Sequence, residues 1–252
     1  MSTKNLYIGT SGWSYDDWIG DFYPEDLEKR DMLPHYVQHF NTVEINSTYY
    51  RMPFRNMVIG WNNKASEGFK FAVKGHRRIT HYNKLENVEK DVTDHIDRVK
   101  PLKEHLGPFL WQLPPSLEKD NKLLTNFLEL LDKRYQHAIE FRNESWLDQE
   151  TYDLLKEYEV ALVWVSSHKM PMKCVSTSDF IYARFHGLEP GYDYDYSERE
   201  LKPWVAEISE ALQEGKEAYI YFNNDKNCRA IKNARELREM LSPDISPRNF
   251  FS

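Results

Sequence analysis

The side chains able to do chemistry in this chain recur at the ends of short hydrophobic runs. Glu44 and Asn46 close residues 42–46, Lys74 closes 69–74, and Gln112 sits near the end of 109–113. Glu140 and Arg142 end the run at 136–141, Arg184 and His186 the run at 180–185, and Asn223 and Asn224 follow 217–222. A charge on a buried strand is expensive unless it is paired or used. Two carboxylates can divide acid and base roles when their surroundings differ, so Glu44 and Glu140 are the candidate acid–base pair, with His186 as a proton shuttle. Lys74, Arg142 and Arg184 would keep carboxylates ionised and could hold a phosphate or carboxylate ligand. Lys74 could also form a Schiff base if neighbouring cations depressed its pKa, which nearby glutamates would oppose. Around these groups stand Trp13, Tyr50, His81 and Trp146, whose rings could stack on or contact a sugar or base.

Strand alternation places these residues together. If Val43, Ile45, Phe71, Val73, Trp111, Ile139, Phe141, Ala183, Phe185 and Ile220 face helices, the opposite parity carries the polar groups inward. Eight strands are expected, at residues 6–10, 42–46, 69–74, 109–113, 136–141, 160–165, 180–185 and 217–222. Helical patterns separate them, at about 32–40, 55–65, 88–105, 123–131, 149–158, 200–213 and 229–241. Asp148 is a plausible N-cap, and Ser197 with Glu200 matches a capping box. Residues 166–178 carry no convincing helix. Alternating strands and helices in one chain of 252 residues predict a single α/β domain, a closed parallel (β/α)8 TIM-like barrel with a weak or missing helix after the sixth strand. An open doubly wound sheet is the alternative, but Gly9-Thr10-Ser11-Gly12 is not its phosphate-binding fingerprint. Barrel enzymes place their sites at the C-terminal ends of the strands, where the polar set falls.

Composition narrows the function classes. The net charge of −7 argues against broad binding to nucleic acid or anionic membrane, although a local basic cleft is compatible with it. His76, Arg77, Arg78 and His81 form such a basic loop. Tyr192, Tyr194 and Tyr196, interleaved with Asp193 and Asp195, suggest a lid. Cys174 and Cys228 lack metal or redox spacing and are read as free thiols. No run is long enough to span a membrane. The first residues lack a signal-peptide core, and a cytoplasmic protein is expected.

Several stretches taken together carry a family resemblance: Ile8-Gly9-Thr10-Ser11-Gly12-Trp13, Val43-Glu44-Ile45-Asn46-Ser47-Thr48-Tyr49-Tyr50, Phe71-Ala72-Val73-Lys74 with Thr80-His81, and Gln112-Leu113-Pro114-Pro115. Glu140-Phe141-Arg142 with Ser145-Trp146, Arg184-Phe185-His186-Gly187 and Tyr221-Phe222-Asn223-Asn224 continue them. The chain resembles the DUF72 (YecE-like) family over nearly its whole length. The resemblance implies a TIM-like barrel and brings no established activity. It departs at Ser166-Ser167-His168, where many relatives would carry an acidic residue, and at Asn227-Cys228, where a glycine is common.

The leading expectation is an enzyme, a hydrolase or isomerase, acting on a small anionic or sugar-like substrate with Glu44/Glu140 chemistry. Trp13, Asn46, Tyr50, Lys74, His81, Gln112, Arg142, Trp146, Arg184, Asn223 and Asn224 would bind that substrate. A metal-dependent phosphodiesterase or sugar isomerase using Glu44, Glu140 and His186 is an alternative, although no metal-binding spacing supports the divalent ion. A non-catalytic binder of a phosphorylated ligand or nucleic-acid end is the third class. Oligomeric state is open.

Overall fold

A computed structural model describes residues 5–242. Its core is one sheet of eight parallel strands: β1 (Leu6–Thr10), β2 (Thr42–Ile45), β3 (Lys70–Lys74), β4 (Leu106–Gln112), β5 (His137–Glu140), β6 (Ala161–Ser166), β7 (Phe180–Phe185) and β8 (Glu217–Phe222). The order β1-β8-β7-β6-β5-β4-β3-β2 wraps the sheet into a nearly closed barrel. The surrounding helices are α1 (Met32–Tyr36), α2 (Ser47–Tyr50), α3 (Arg55–Asn62), α4 (Glu89–Val99), α5 (Asn121–Leu128), α6 (Gln149–Glu157), α7 (Glu198–Gln213) and α8 (Arg229–Leu241). No α-helix separates β6 from β7, as the weak pattern there predicts.

The barrel closes at β1 and β2 through side chains more than through a ladder. The bridge Ser11–Glu44 is the strand-type contact across this seam. Asn41 donates from Nδ2 to the Leu6 carbonyl at 2.7 Å and accepts from the Ile8 N–H at 3.3 Å, mimicking a strand residue. The Tyr36 hydroxyl accepts from the Thr10 N–H and donates to the Thr42 carbonyl. These groups supply hydrogen bonds that buried strand edges require. The seam is narrow enough that a Cβ on Gly9 would lie 2.1 Å from the Thr42 carbonyl oxygen.

Two apolar layers follow from the period of two. Ile8, Val43, Ile45, Val73, Trp111, Ile139 and Ile220 pack outward with the helices. Tyr7, Ala72, Leu110, Ala138, Val163, Tyr182, Tyr219 and Tyr221 fill the interior. Tyr7 and Tyr219 stack at 4.7 Å. Aromatic and aliphatic residues thus plug the lower barrel, and polar side chains occupy its upper end.

Helix ends largely follow local chemistry. Asp148 accepts from the Thr151 N–H and opens α6, and the Ser197–Glu200 capping box opens α7. Four expectations shift. The helix expected over about 88–105 ends at Val99, and a tighter 3-10 segment, Lys100–His105, follows with Pro101 in its first turn, because proline cannot donate within an α-helix. Gly107-Pro108 falls inside β4 instead of preceding it; the register slips there against β3, and a bulge tolerates the missing N–H. The basic loop includes a wide π-type turn, Arg78–Tyr82. Asn227 and Cys228 both take positive φ, 54° and 55°, the conformation that favours the glycine expected there. The tail beyond Ser242 lies outside the described residues.

Candidate active site at the barrel mouth

Arg184, at the upper end of β7, is the centre of the polar interior. It donates from Nη2 to Glu44 Oε1 at 2.7 Å and from Nη1 to Glu140 Oε2 at 2.6 Å. One guanidinium thus bridges two fully buried carboxylates from β2 and β5. The remaining oxygens are also engaged. Ser11 donates to Glu44 Oε1 at 2.8 Å and Tyr182 to Glu44 Oε2 at 2.6 Å. Glu140 Oε1 faces the Arg142 Nε and lies 3.2 Å from His186 Nε2. Burial pushes the Glu140 carboxyl up, but Arg142, Arg184 and His186 together hold it well below the usual carboxylate range. Glu140 is therefore ionised at neutral pH and carries no proton to deliver.

His186 and the asparagines form the rim of this network. Arg142 Nη2 approaches His186 Nε2 to 2.8 Å, and Asn223 Nδ2 lies 3.3 Å from His186 Nδ1. Burial pushes His186 down to about 4, with Glu140 pulling upward and Arg184 and Arg142 downward. The ring is neutral near pH 7, and a proton on it would add charge beside two guanidiniums. Asn46 reaches Asn223 at 3.5 Å, while its own Oδ1 is buried and unpartnered.

Lys74 ends β3 with the inward parity. Among the described residues its ammonium makes no hydrogen bond or ion pair, and Nζ lies 4.6 Å over the Tyr49 ring. Burial is the largest influence on it, Arg184 the next, and Glu44 and Glu140 oppose them; the ammonium is pushed down to about 8. The glutamates oppose the depression as expected, but desolvation and the arginines outweigh them.

Above these groups lies a cavity of 360 Å³ lined by Tyr49, Lys74, Gln112, Arg142, Arg184, His186 and Asn223, with Tyr50, Lys169 and Tyr192 among the residues at its edge. Lys74, Arg142, Lys169 and Arg184 contribute four cations to this wall, whereas the nearby Glu44 and Glu140 lie beneath it and do not line it. A local excess of positive charge therefore sits in a chain of net charge −7.

Six of the eleven predicted binding residues line this cavity, and five do not. Trp146 is fully buried; it stacks on Phe141 at 4.8 Å and donates to the Leu117 carbonyl, so it anchors the loop after β5 and is not open to a ligand. Asn224 is also fully buried, donating to the Tyr194 carbonyl and to Asn233. Trp13 lines a separate, smaller hollow with Asn46. His81 stands behind Tyr49, edge to face at 5.0 Å. In the expected lid, Tyr196 is buried against Ser166 and the Gly187 N–H, whereas Tyr192 is exposed at the cavity. The basic loop is partly neutralised, with Arg78 paired to Asp91 at 3.1 Å. Cys174 and Cys228 are unpaired. Among the described residues no group of three His, Cys, Asp or Glu stands where it could share a metal ion.

Sequence reasoning gave no role to Ser11, Tyr49 and Tyr182. Alternation puts Tyr182 in the interior with Arg184, and Ser11 shares parity with Tyr7 and Gly9, so the same rule extended past β1 would place it beside Glu44 as well. Tyr49 lies in the short helix α2, where strand parity says nothing.

A parallel eight-stranded barrel with a cationic pocket at the C-terminal ends of its strands defines a TIM-barrel protein of the α/β class. The family model described as "Protein of unknown function DUF72" matches residues 7–249, and the chain belongs to this family. It is 26% identical to the UPF0759 protein YunF of Bacillus subtilis (strain 168), across 96% of each chain. It is 29% identical to the UPF0759 protein YecE of Escherichia coli (strain K12), over 55% of this chain and 48% of that one. A crystal structure of a DUF72 family protein from Thermotoga maritima MSB8 superposes with a TM-score of 0.84 at 34% identity, covering 94% of this chain and 99% of that one. A DUF72 family protein from Enterococcus faecalis V583, at 23% identity and a TM-score of 0.81 over 96% of this chain and 97% of that one, shares the fold. No helix among the described residues is long and apolar enough to cross a membrane.

Proposed function

We propose that the barrel mouth binds a small molecule carrying a phosphate or carboxylate, and that the protein is an enzyme acting on it. The observation that carries this reading is Lys74, a cation facing the cavity without an anionic partner, beside Arg142 and Arg184. A charge so placed is costly unless a ligand completes it. Arg142 and Lys169 extend the same positive wall toward solvent, which suits attraction of an anion into a cleft. Glu44 and Glu140 are given a positioning role here. They hold Arg184 and Arg142 in one geometry, and Glu140 is too strongly stabilised as an anion to serve as an acid.

The test is anion binding, measured by calorimetry with inorganic phosphate, ribose 5-phosphate and citrate at low salt. Saturable binding of at least one is expected, weakened at least tenfold in Lys74→Gln. Absence of saturable binding by all three, or unchanged affinity in a folded Lys74→Gln protein, overturns the reading. Conversion of a bound ligand would then be followed by NMR.

A further inference from the structure

We propose that Lys74 is an imine-forming lysine, whose amine condenses with the carbonyl carbon of an anionic aldehyde or ketone held at the barrel mouth. The inference rests on the anion-binding reading above and names its substrate class. It starts from the accounting of carboxylate oxygens. Glu44 Oε1 is taken by Ser11 and Arg184, and Glu44 Oε2 by Tyr182. Glu140 Oε2 is taken by Arg184, and Glu140 Oε1 faces Arg142 and His186. Three of the four oxygens accept hydrogen bonds and the fourth is in ion-pair contact with Arg142, while the Lys74 ammonium is paired with none of them. A lysine needed only to neutralise the barrel interior would sit on one of these oxygens.

The surroundings favour the free amine. With the ammonium pushed down to about 8 by burial and by Arg184, a far larger share of Lys74 is free amine at about pH 7.5 than of an ordinary lysine. An ordinary lysine at that pH is free to roughly one part in a thousand. Desolvation and neighbouring cations are the two recognised ways of activating an amine nucleophile. The Tyr49 ring face at 4.6 Å suits the product as well, because an iminium is a cation and stacks on the same quadrupole. Arg142 and Lys169 line the cavity with Lys74, so the anionic group of the substrate can pair with them while its carbonyl meets Nζ.

The step balances without an external oxidant or reductant. The amine nitrogen attacks the carbonyl carbon, a C–N bond forms, and the nitrogen's proton passes to the opened oxygen. A second proton, from solvent, makes that hydroxyl leave as water and leaves a C=N iminium. The iminium then acts as an electron sink for bond changes at the adjacent carbon.

Reductive trapping tests this. The full chain is incubated with sodium cyanoborohydride and glyoxylate, pyruvate or dihydroxyacetone phosphate, with neutral dihydroxyacetone as control, and mapped by peptide mass spectrometry. One adduct at Lys74 is expected with at least one anionic carbonyl, forming at least tenfold faster than at other lysines. Its rate should rise with pH to a midpoint near 8, inorganic phosphate should suppress it, and folded Lys74→Arg should lack it. If phosphate binds saturably but Lys74 labels no faster than surface lysines with every anionic probe, the imine inference fails and the anion site stands. If Lys74 labels equally fast with the neutral control and phosphate neither binds nor protects, the anionic substrate class and the reading beneath it both fail.

Discussion

Arg184→Met isolates the contribution of the buried bridge. In the native protein Arg184 contacts two carboxylates of zero exposure, Glu44 at 2.7 Å and Glu140 at 2.6 Å. After substitution Glu140 keeps Arg142 and His186, whereas Glu44 keeps only the hydroxyls of Ser11 and Tyr182. Glu44 becomes the orphan charge. Removing one partner of a buried ion pair costs about 3–5 kcal/mol, a large fraction of the roughly 5–15 kcal/mol that holds a domain folded. Urea unfolding followed by tryptophan fluorescence measures the deficit. Adding Glu44→Gln to Arg184→Met should restore about 1–3 kcal/mol, since a neutral amide removes most of the desolvation cost. A deficit below about 1 kcal/mol, or no recovery in the double variant, would refute the bridge as the determinant of this interior.

Two further perturbations address other parts of the molecule. Gly9→Ala puts a Cβ 2.1 Å from the Thr42 carbonyl, so the β1–β2 seam must open; a loss of about 1–3 kcal/mol is expected in urea unfolding, and a neutral result would mean the seam is looser than it stands. Glu140 is held well below the usual carboxylate range, so its stabilising contribution is complete above its unfolded pKa and is lost as pH falls through the lower folded value. Stability of the wild type should therefore fall with acid across that window more steeply than that of Glu140→Gln, and parallel acid profiles would contradict the assignment.

Most of the barrel was legible because the two periods in the chain are clean. Period-two runs such as residues 180–185 and 217–222 became strands with the same bounds, and the Ser197–Glu200 and Asp148 signals opened α7 and α6 where expected. Parity also brought Glu44, Glu140, Arg184 and His186 together from three strands and a strand exit, which no local motif could do. What escaped depended on packing in three dimensions. Trp146 reads as an exposed ring at a strand exit, yet Phe141 and the Leu117 carbonyl, which the fold brings beside it, bury it. Gly107-Pro108 reads as a break, yet a bulge against β3 absorbs it.

The roles within the site turn on a count that sequence cannot supply. Composition of the interior offers two carboxylates, two guanidiniums, an ammonium and an imidazole, and many pairings of these are chemically reasonable. Had Lys74 rather than Arg184 bridged Glu44 and Glu140, the lysine would be a counter-ion and the arginine the cation facing the ligand. Arginine wins that position because its planar fork presents two nitrogens to two separate carboxylates at once, which one ammonium on a flexible stem does less well. Once Arg184 has taken both glutamates, the Lys74 ammonium has no ion-pair partner among the described residues, and burial with Arg184 outweighs the field of the two carboxylates. The same geometry that removes Glu140 from acid–base service therefore leaves Lys74 as a cation of the mouth without an ion-pair partner among the described residues, which is where the proposed imine chemistry starts.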